Sequence, residues 1–210
     1  MCCAKGSKGT RIFGAGSFVA KNARSGGPTF TALRMVSNSM NKTSRPVSDS
    51  YAQTTHVVLP NDTNTLGNLF GGRLLQWLDI SCAISAHRHC KRVVVTVAVN
   101  HVGFDKPIKL GDFVTILSHV SRAFGSSMEV WSDVYVEDQV TGEKIKCNSA
   151  IYTFVAVDQA GRPVTVPEAV PTNEEEQQRF DGALRRRQLR LILSGKMKPE
   201  EATELKALFQ

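Results

Sequence analysis

No acidic residue occurs before Asp49 in this chain of 210 residues. The first 48 residues carry eight Lys or Arg, whereas residues 49–210 carry 18 basic and 19 acidic side chains. The formal net charge of +7 therefore belongs to the leader, and the near-neutral body excludes a basic nucleic-acid-binding domain. Cysteine is scarce and odd in number, at positions Cys2, Cys3, Cys82, Cys90 and Cys147, without a Cys-x-x-Cys pair. That pattern argues against a disulfide framework or zinc ribbon and fits a reducing compartment. No apolar run approaches the roughly 18–20 residues that cross a bilayer as a helix. Gly-x-Ser-x-Gly is missing, so a nucleophile elbow is unsupported. Gly14-Ala15-Gly16 follows no strand and opens no nucleotide-binding Gly-x-Gly-x-x-Gly loop.

What is present divides into three parts. Residues 1–48, rich in Ser, Thr, Gly and basic side chains, have the composition of an organellar transit peptide. A disordered tail, or an extension upstream of a start at Met35 or Met40, are the alternatives. Residues 49–170 read as one body: a strand from Tyr51 to Leu59, a helix from Arg73 to Cys90, then β-rich runs Arg92 to Phe104, Phe113 to Phe124, Met128 to Glu137 and Ile145 to Val157. One strand, one long helix and a four-strand meander predict an α+β fold with an antiparallel sheet wrapped on the helix. Residues 171–210 read as a helical extension that starts at Thr172-Asn173-Glu174-Glu175 and breaks at Gly195 and Pro199 before a last short helix, Glu200 to Phe209.

The chemistry-bearing stretch runs from Pro60 to Cys90. A polar loop, Asn61 to Asn68, leads through Leu69-Phe70 into Gly71-Gly72 and the helix. The helix is apolar on most sides, which predicts a buried element, yet Asp79 sits in its middle with no cation three or four residues away. Paired glycines admit a close approach to the backbone, and the first amides of a helix are donors for partial negative charge. Asp79 lies seven or eight residues beyond them, about 11–12 Å along the axis at 1.5 Å per residue. Both groups reach one atom only if one of them comes from a second, antiparallel copy. His87, His89 and Cys90 read as core or interface residues, because helical residues two apart face different ways, and His56, His101 and His119 read as structural.

Asn64-Thr65-Leu66-Gly67-Asn68-Leu69-Phe70-Gly71-Gly72, Leu78-Asp79, Ala86-His87-Arg88-His89-Cys90 and Val94-Val95-Thr96-Val97 resemble the hotdog-fold acyl-CoA thioesterases, in the branch of the bacterial short-chain and animal cytosolic hydrolases. The resemblance covers roughly Tyr51 to Phe180. It implies a long central helix wrapped by a curved antiparallel sheet, paired protomers, and an Asn and an Asp from different protomers at each site, carried over as Asn68 and Asp79. Phe70 departs from relatives that carry His there. The implied substrate is acyl-CoA, hydrolysed to fatty acid and CoA without metal or other cofactor, by a homo-oligomer that is at least a dimer, with a trimer of dimers the larger option. In the resulting site the Gly71 and Gly72 amides polarise the thioester carbonyl, Asn68 orients, and Asp79 serves as general base or nucleophile. Candidate CoA contacts are Asn100, Ser126, Ser127 and Arg88. The Arg185-Arg186-Arg187 triplet reads as a solvated helix face balanced by Glu174-Glu175-Glu176, with a grip on CoA phosphates as its alternative. Rival readings are a hotdog dehydratase or hydratase, disfavoured because the loop Asn61 to Phe70 holds no His, and a non-catalytic acyl-CoA sensor. The expected location is the cytoplasm, or a mitochondrion or plastid if the leader directs import.

Overall fold

In the computed structural model the described residues are 43–103, 106–138 and 141–207. The chain runs β1 (Ser44–Pro46), β2 (Ala52–Val57), α1 (Gly71–Cys90), β3 (Val93–Val102), β4 (Phe113–Phe124), β5 (Ser127–Glu137), β6 (Lys144–Val157), β7 (Glu168–Val170), α2 (Glu174–Leu193) and α3 (Thr203–Lys206). Short 3-10 turns occupy Val47–Ser50, Pro60–Asp62 and Pro199–Glu201. Five strands make one antiparallel sheet in the order β2-β4-β5-β6-β3. The simple four-strand meander is therefore corrected: β4, β5 and β6 follow one another, but β3 pairs with β6 at the far edge. Lys91 precedes this edge strand. It closes α1 in the left-handed conformation, φ 53°, with its amide on the His87 carbonyl, and turns the chain straight into an edge strand.

The sheet is curved by register shifts in the β3–β6, β4–β5 and β5–β6 pairs, each of which adds local twist. Its concave face holds α1. Leu74, Leu78, Cys82 and Ala86, spaced by four, pack with Trp77 and Cys90 against Ile116, Val120, Met128, Val130, Tyr152 and Phe154. The helix begins at Gly71, two residues earlier than expected, and is buried on one face rather than all round. Ile80 and Ile84 remain 49% and 36% exposed in the single chain.

A second helix covers the opposite face of the sheet, held by charge rather than by an apolar stripe. Glu129 and Asp133 of β5 are only 3% and 4% exposed, and a buried carboxylate needs a partner. Arg186 Nη2 meets Glu129 Oε1 at 2.6 Å, while Arg179 Nη2 and Lys146 Nζ meet Asp133 at 2.8 and 2.7 Å. Arg187 stacks on Phe124 with its guanidinium carbon 4.6 Å from the ring centroid. The solvated arginine face is thus corrected: Arg186 faces the sheet because a buried acid lies beneath it, and Arg187 because the Phe124 ring and the Ser127 hydroxyl do. The N-terminal boundary also moves. Pairing of β1 with β7 in parallel and complete burial of Val47 place residues 44–48 in the body. Residues 1–42 of the expected leader, and the end of the expected last helix at Phe209, lie outside the described residues.

His119 sits within this charged layer. Its ring stacks on Tyr51 at 5.0 Å, and Nε2 lies 3.1 Å from Arg179 Nη1, with Asp133 and Glu176 alongside. Burial, reinforced by the Arg179 charge, lowers its pKa to about 4. Burial would raise Asp133, but hydrogen bonds from Lys146 and Trp131 and the charge of Arg179 hold it below 3.8. Both groups bind protons more readily when unfolded, so stability present above pH 6.5 falls as the pH drops towards 4, and falls again below 4. Urea midpoints measured from pH 8 to pH 3 are expected to show this decline, and His119→Phe, which keeps the stack, should flatten the limb between pH 6.5 and 4.

Candidate active site

The glycine pair occupies the first turn of α1. Phe70 provides an extended N-cap without a side-chain cap; the Arg73 and Leu74 amides bond to its carbonyl. The Gly71 and Gly72 amides are left as outward donors at the positive end of the helix. A Cβ at Gly72 would lie 2.8 Å from the Phe70 ring, so a larger residue there would displace that exposed side chain. Buried Asp62 fixes the loop to this turn. One carboxylate oxygen accepts the Leu59 amide at 3.1 Å, and the other meets Arg73 Nε at 2.7 Å.

Asn64 shapes the loop itself. Its Oδ1 accepts the amides of Leu66 at 2.9 Å and Asn68 at 3.2 Å, and its own amide bonds to the Asn68 carbonyl. Gly67 turns the chain at φ 73°. The Asn64 side chain is exposed and its oxygen is occupied, while its NH2 group makes no hydrogen bond among the described contacts. Asn68 is half-buried and lines a cavity of about 320 Å³ with Leu69, Leu74, Ile108 and Asn148.

Asp79 stands two turns further along α1, half-buried beside the exposed Ile80. Thr96 of β3 donates to its Oδ1 at 2.7 Å. The carboxylate that looked solitary in the sequence is therefore held by a hydroxyl from the neighbouring edge strand, with its second oxygen open. The glycine amides and Asp79 stay about 12 Å apart along one helix, as spacing required.

The other candidates lie apart from both groups. Asn100 donates to Thr153 Oγ1 at 2.8 Å and accepts from Arg190 of α2. Ser127 accepts from Arg187 at 3.0 Å, and the Ser126 carbonyl takes the Ala156 amide. Arg88 donates to the Tyr51 carbonyl. His56 stacks on Trp77 at 4.4 Å.

The description "Thioesterase superfamily" belongs to the family model that matches residues 66–143. The acyl-CoA thioester hydrolase YkhA of Bacillus subtilis, itself uncharacterized, is 45% identical over 119 residues, 57% of this chain and 69% of that protein. This chain belongs to the thioesterase superfamily. Among solved superfamily structures, an apo-hexameric acyl-CoA thioesterase superposes with a TM-score of 0.70 at 35% identity, covering 72% of this chain and 97% of that one. An acyl-CoA hydrolase from Staphylococcus aureus, as an alanine mutant in complex with coenzyme A, gives a TM-score of 0.72 at 31% identity, covering 81% and 99%. Structures of that enzyme include alanine mutants of an Asn, an Asp and a Thr at its positions 28, 43 and 60.

Asn64 and Thr96 both lie in the motifs that carry the resemblance, but their contacts emerge only in the fold. The signal for Asn64 was its place as an Asx-turn residue three positions before a glycine; nothing in one sequence ties Thr96 to Asp79. Breaking the Asp62 anchor tests the construction of the loop. Asp62→Ala is expected to lower unfolding stability by about 2–3 kcal/mol, because Leu59 N–H and the partly buried Arg73 lose their acceptor. Asp62→Asn, which keeps one acceptor, should cost less in the same denaturant titration.

Proposed function

We infer that this chain hydrolyses acyl-CoA thioesters to a free fatty acid and CoA at a site shared by two copies. One observation carries the reading. The Asn, Asp and Thr replaced in the Staphylococcus aureus hydrolase stand fifteen and seventeen residues apart, and Asn64, Asp79 and Thr96 have the same two separations here. In this reading the orienting asparagine is Asn64, in place of the Asn68 that the resemblance implies. Its oxygen is tied into the loop and its NH2 is free to donate to a thioester carbonyl. The Gly71 and Gly72 amides complete the oxyanion site. Asp79, oriented by Thr96, presents its open oxygen to water or to the carbonyl carbon. A thioester has a good thiolate leaving group, so these groups suffice for its hydrolysis.

A second copy supplies the missing proximity. The β3 edge presents Val93, Val95, Val97 and Val99 at 43–64% exposure, next to Ile80 and Ile84 of α1. Such a contiguous apolar patch on an unpaired edge suits self-association. Related acyl-CoA thioesterases are hexameric, and a homo-oligomer built on this face, extended to a trimer of dimers, is the proposed assembly. For CoA we retain Asn100, Ser126, Ser127 and Arg88 as contacts, with Arg187 and Arg190 as the cations already beside them. Residues 43–170 are the proposed catalytic body and 171–207 its extension. Free Cys82, Cys90 and Cys147 fit a reducing setting, and the cytoplasm is the proposed one. No described helix is long and apolar enough to cross a membrane.

Thiol release from a C2–C18 acyl-CoA series tests the activity. Asp79→Asn and Asn64→Ala are each expected to cut turnover at least about a hundredfold, in line with the 10²–10⁴ range for general acid–base groups. Asn68→Ala should cost less than Asn64→Ala; the reverse order would restore Asn68 to the role. Mixing Asn64→Ala and Asp79→Ala chains by co-expression makes half the dimers hybrid, each with one intact site of two. Two-fold symmetry then returns about a quarter of wild-type activity. Background activity in confirmed hybrids would place both groups in a site within one chain.

A further inference from the structure

Tyr152 is one of the largest fully buried side chains of the protein, 1% exposed, on β6 beneath α1. Its hydroxyl does not serve the sheet. It donates to the main-chain carbonyl of Leu75 at 3.2 Å. In an α-helix that carbonyl is also the acceptor for the amide four residues on, which is the amide of Asp79. The Tyr152 hydroxyl and the Asp79 backbone therefore share one oxygen.

The register of the sheet places a second hydroxyl beside the first. Tyr152 opposes Val99, and Phe154, two residues on, opposes Thr96, whose hydroxyl holds the Asp79 carboxylate. One strand thus fixes the side chain of Asp79 and its neighbour fixes the turn that carries it. His56 of β2 stacks on Trp77 in this turn, but among the described contacts no other polar group of the sheet hydrogen-bonds to it, while the buried hydroxyls Ser81, Ser118 and Ser132 bond to one another just beyond it. A helix terminus is not involved, and the carbonyl would remain satisfied by Asp79 N–H if the phenol were lost. The fold is therefore expected to tolerate loss of the hydroxyl. Burial, with the nearby Cys82 and Asp79, raises its pKa, so it stays a donor across the working range.

We propose that Tyr152 is a positioning residue for the hydrolysis, holding the Leu75–Asp79 turn so that the Asp79 carboxylate meets the shared site in register. The proposal rests on the assignment of Asp79 above. Catalytic groups must be held to within a fraction of an ångström, and long-range misplacements act on turnover rather than on substrate binding. The CoA contacts proposed above do not include this turn, so KM should be insensitive.

Tyr152→Phe keeps the ring and its packing on Phe154 and removes only the donor. Its kcat is expected to fall about five- to tenfold, short of the roughly 10²-fold that a 1 Å misplacement costs. KM should stay within about twofold and the melting temperature within a few degrees, as for a carbonyl that keeps one bond. An unchanged kcat, or a fall in kcat matched by a large loss of melting temperature in the same protein, would overturn the positioning role. Asp79→Asn is assayed in parallel. If it stays active, the assignment of Asp79 fails; if it is dead while Tyr152→Phe is normal, this inference alone fails.

Discussion

Everything in the body is referred to one contact, the face of α1 formed by Leu74, Leu78, Cys82 and Ala86 against the concave side of the sheet. Burying it leaves α1 with a fixed rotation about its axis. That rotation decides which residues remain outside: Asp79 at the margin, Ile80 and Ile84 in the open. It also sets the height of Gly71 and Gly72 above the loop, because Asp62 and Arg73 must meet for the helix to start there. Under the helix the hydroxyls of Ser81, Ser118 and Ser132 are paired among themselves, so they do not compete for Asp79.

The two faces of the sheet solve different problems. The concave face is largely apolar and buries one side of α1, leaving Asp79 at its margin. On the convex face buried Glu129 and Asp133 demand cations, and α2 brings them in as Arg186 and Arg179. Such ion pairs add little net stability compared with apolar packing of equal size, but an unpaired carboxylate is costly. They therefore specify where α2 sits. The position matters for Asn100 and Ser127, which α2 reaches through Arg190 and Arg187.

The long elements were legible because their signals are local. The helix from residue 73, the runs 113–124 and 145–157, and the acidic start of α2 all follow from periodicity, glycines and caps. Strand order was not, since β3 pairs with β6 past the whole of β4 and β5, and no local signal announces so distant a partner. In the site, Gly71, Gly72 and Asp79 were visible as a breach of pattern in an apolar helix. Asn64 and Asn68 look alike in a one-dimensional string; only the hydrogen bonds of the Asx turn distinguish their amides. Thr96 sits in a valine-rich strand and reads as a β-former until its hydroxyl is seen on Asp79.

The pairing of β1 with β7 has a consequence for processing. Glu168 N–H bonds to the Thr43 carbonyl, and Val47 is buried beside the end of α1. A cut before Thr43 leaves this join intact. A cut after Pro46 removes a strand from β7, at the point where the chain turns into α2. Thr43 is thus a limit set by the fold on how far any protease can trim the basic segment without loosening the opposite end of the chain.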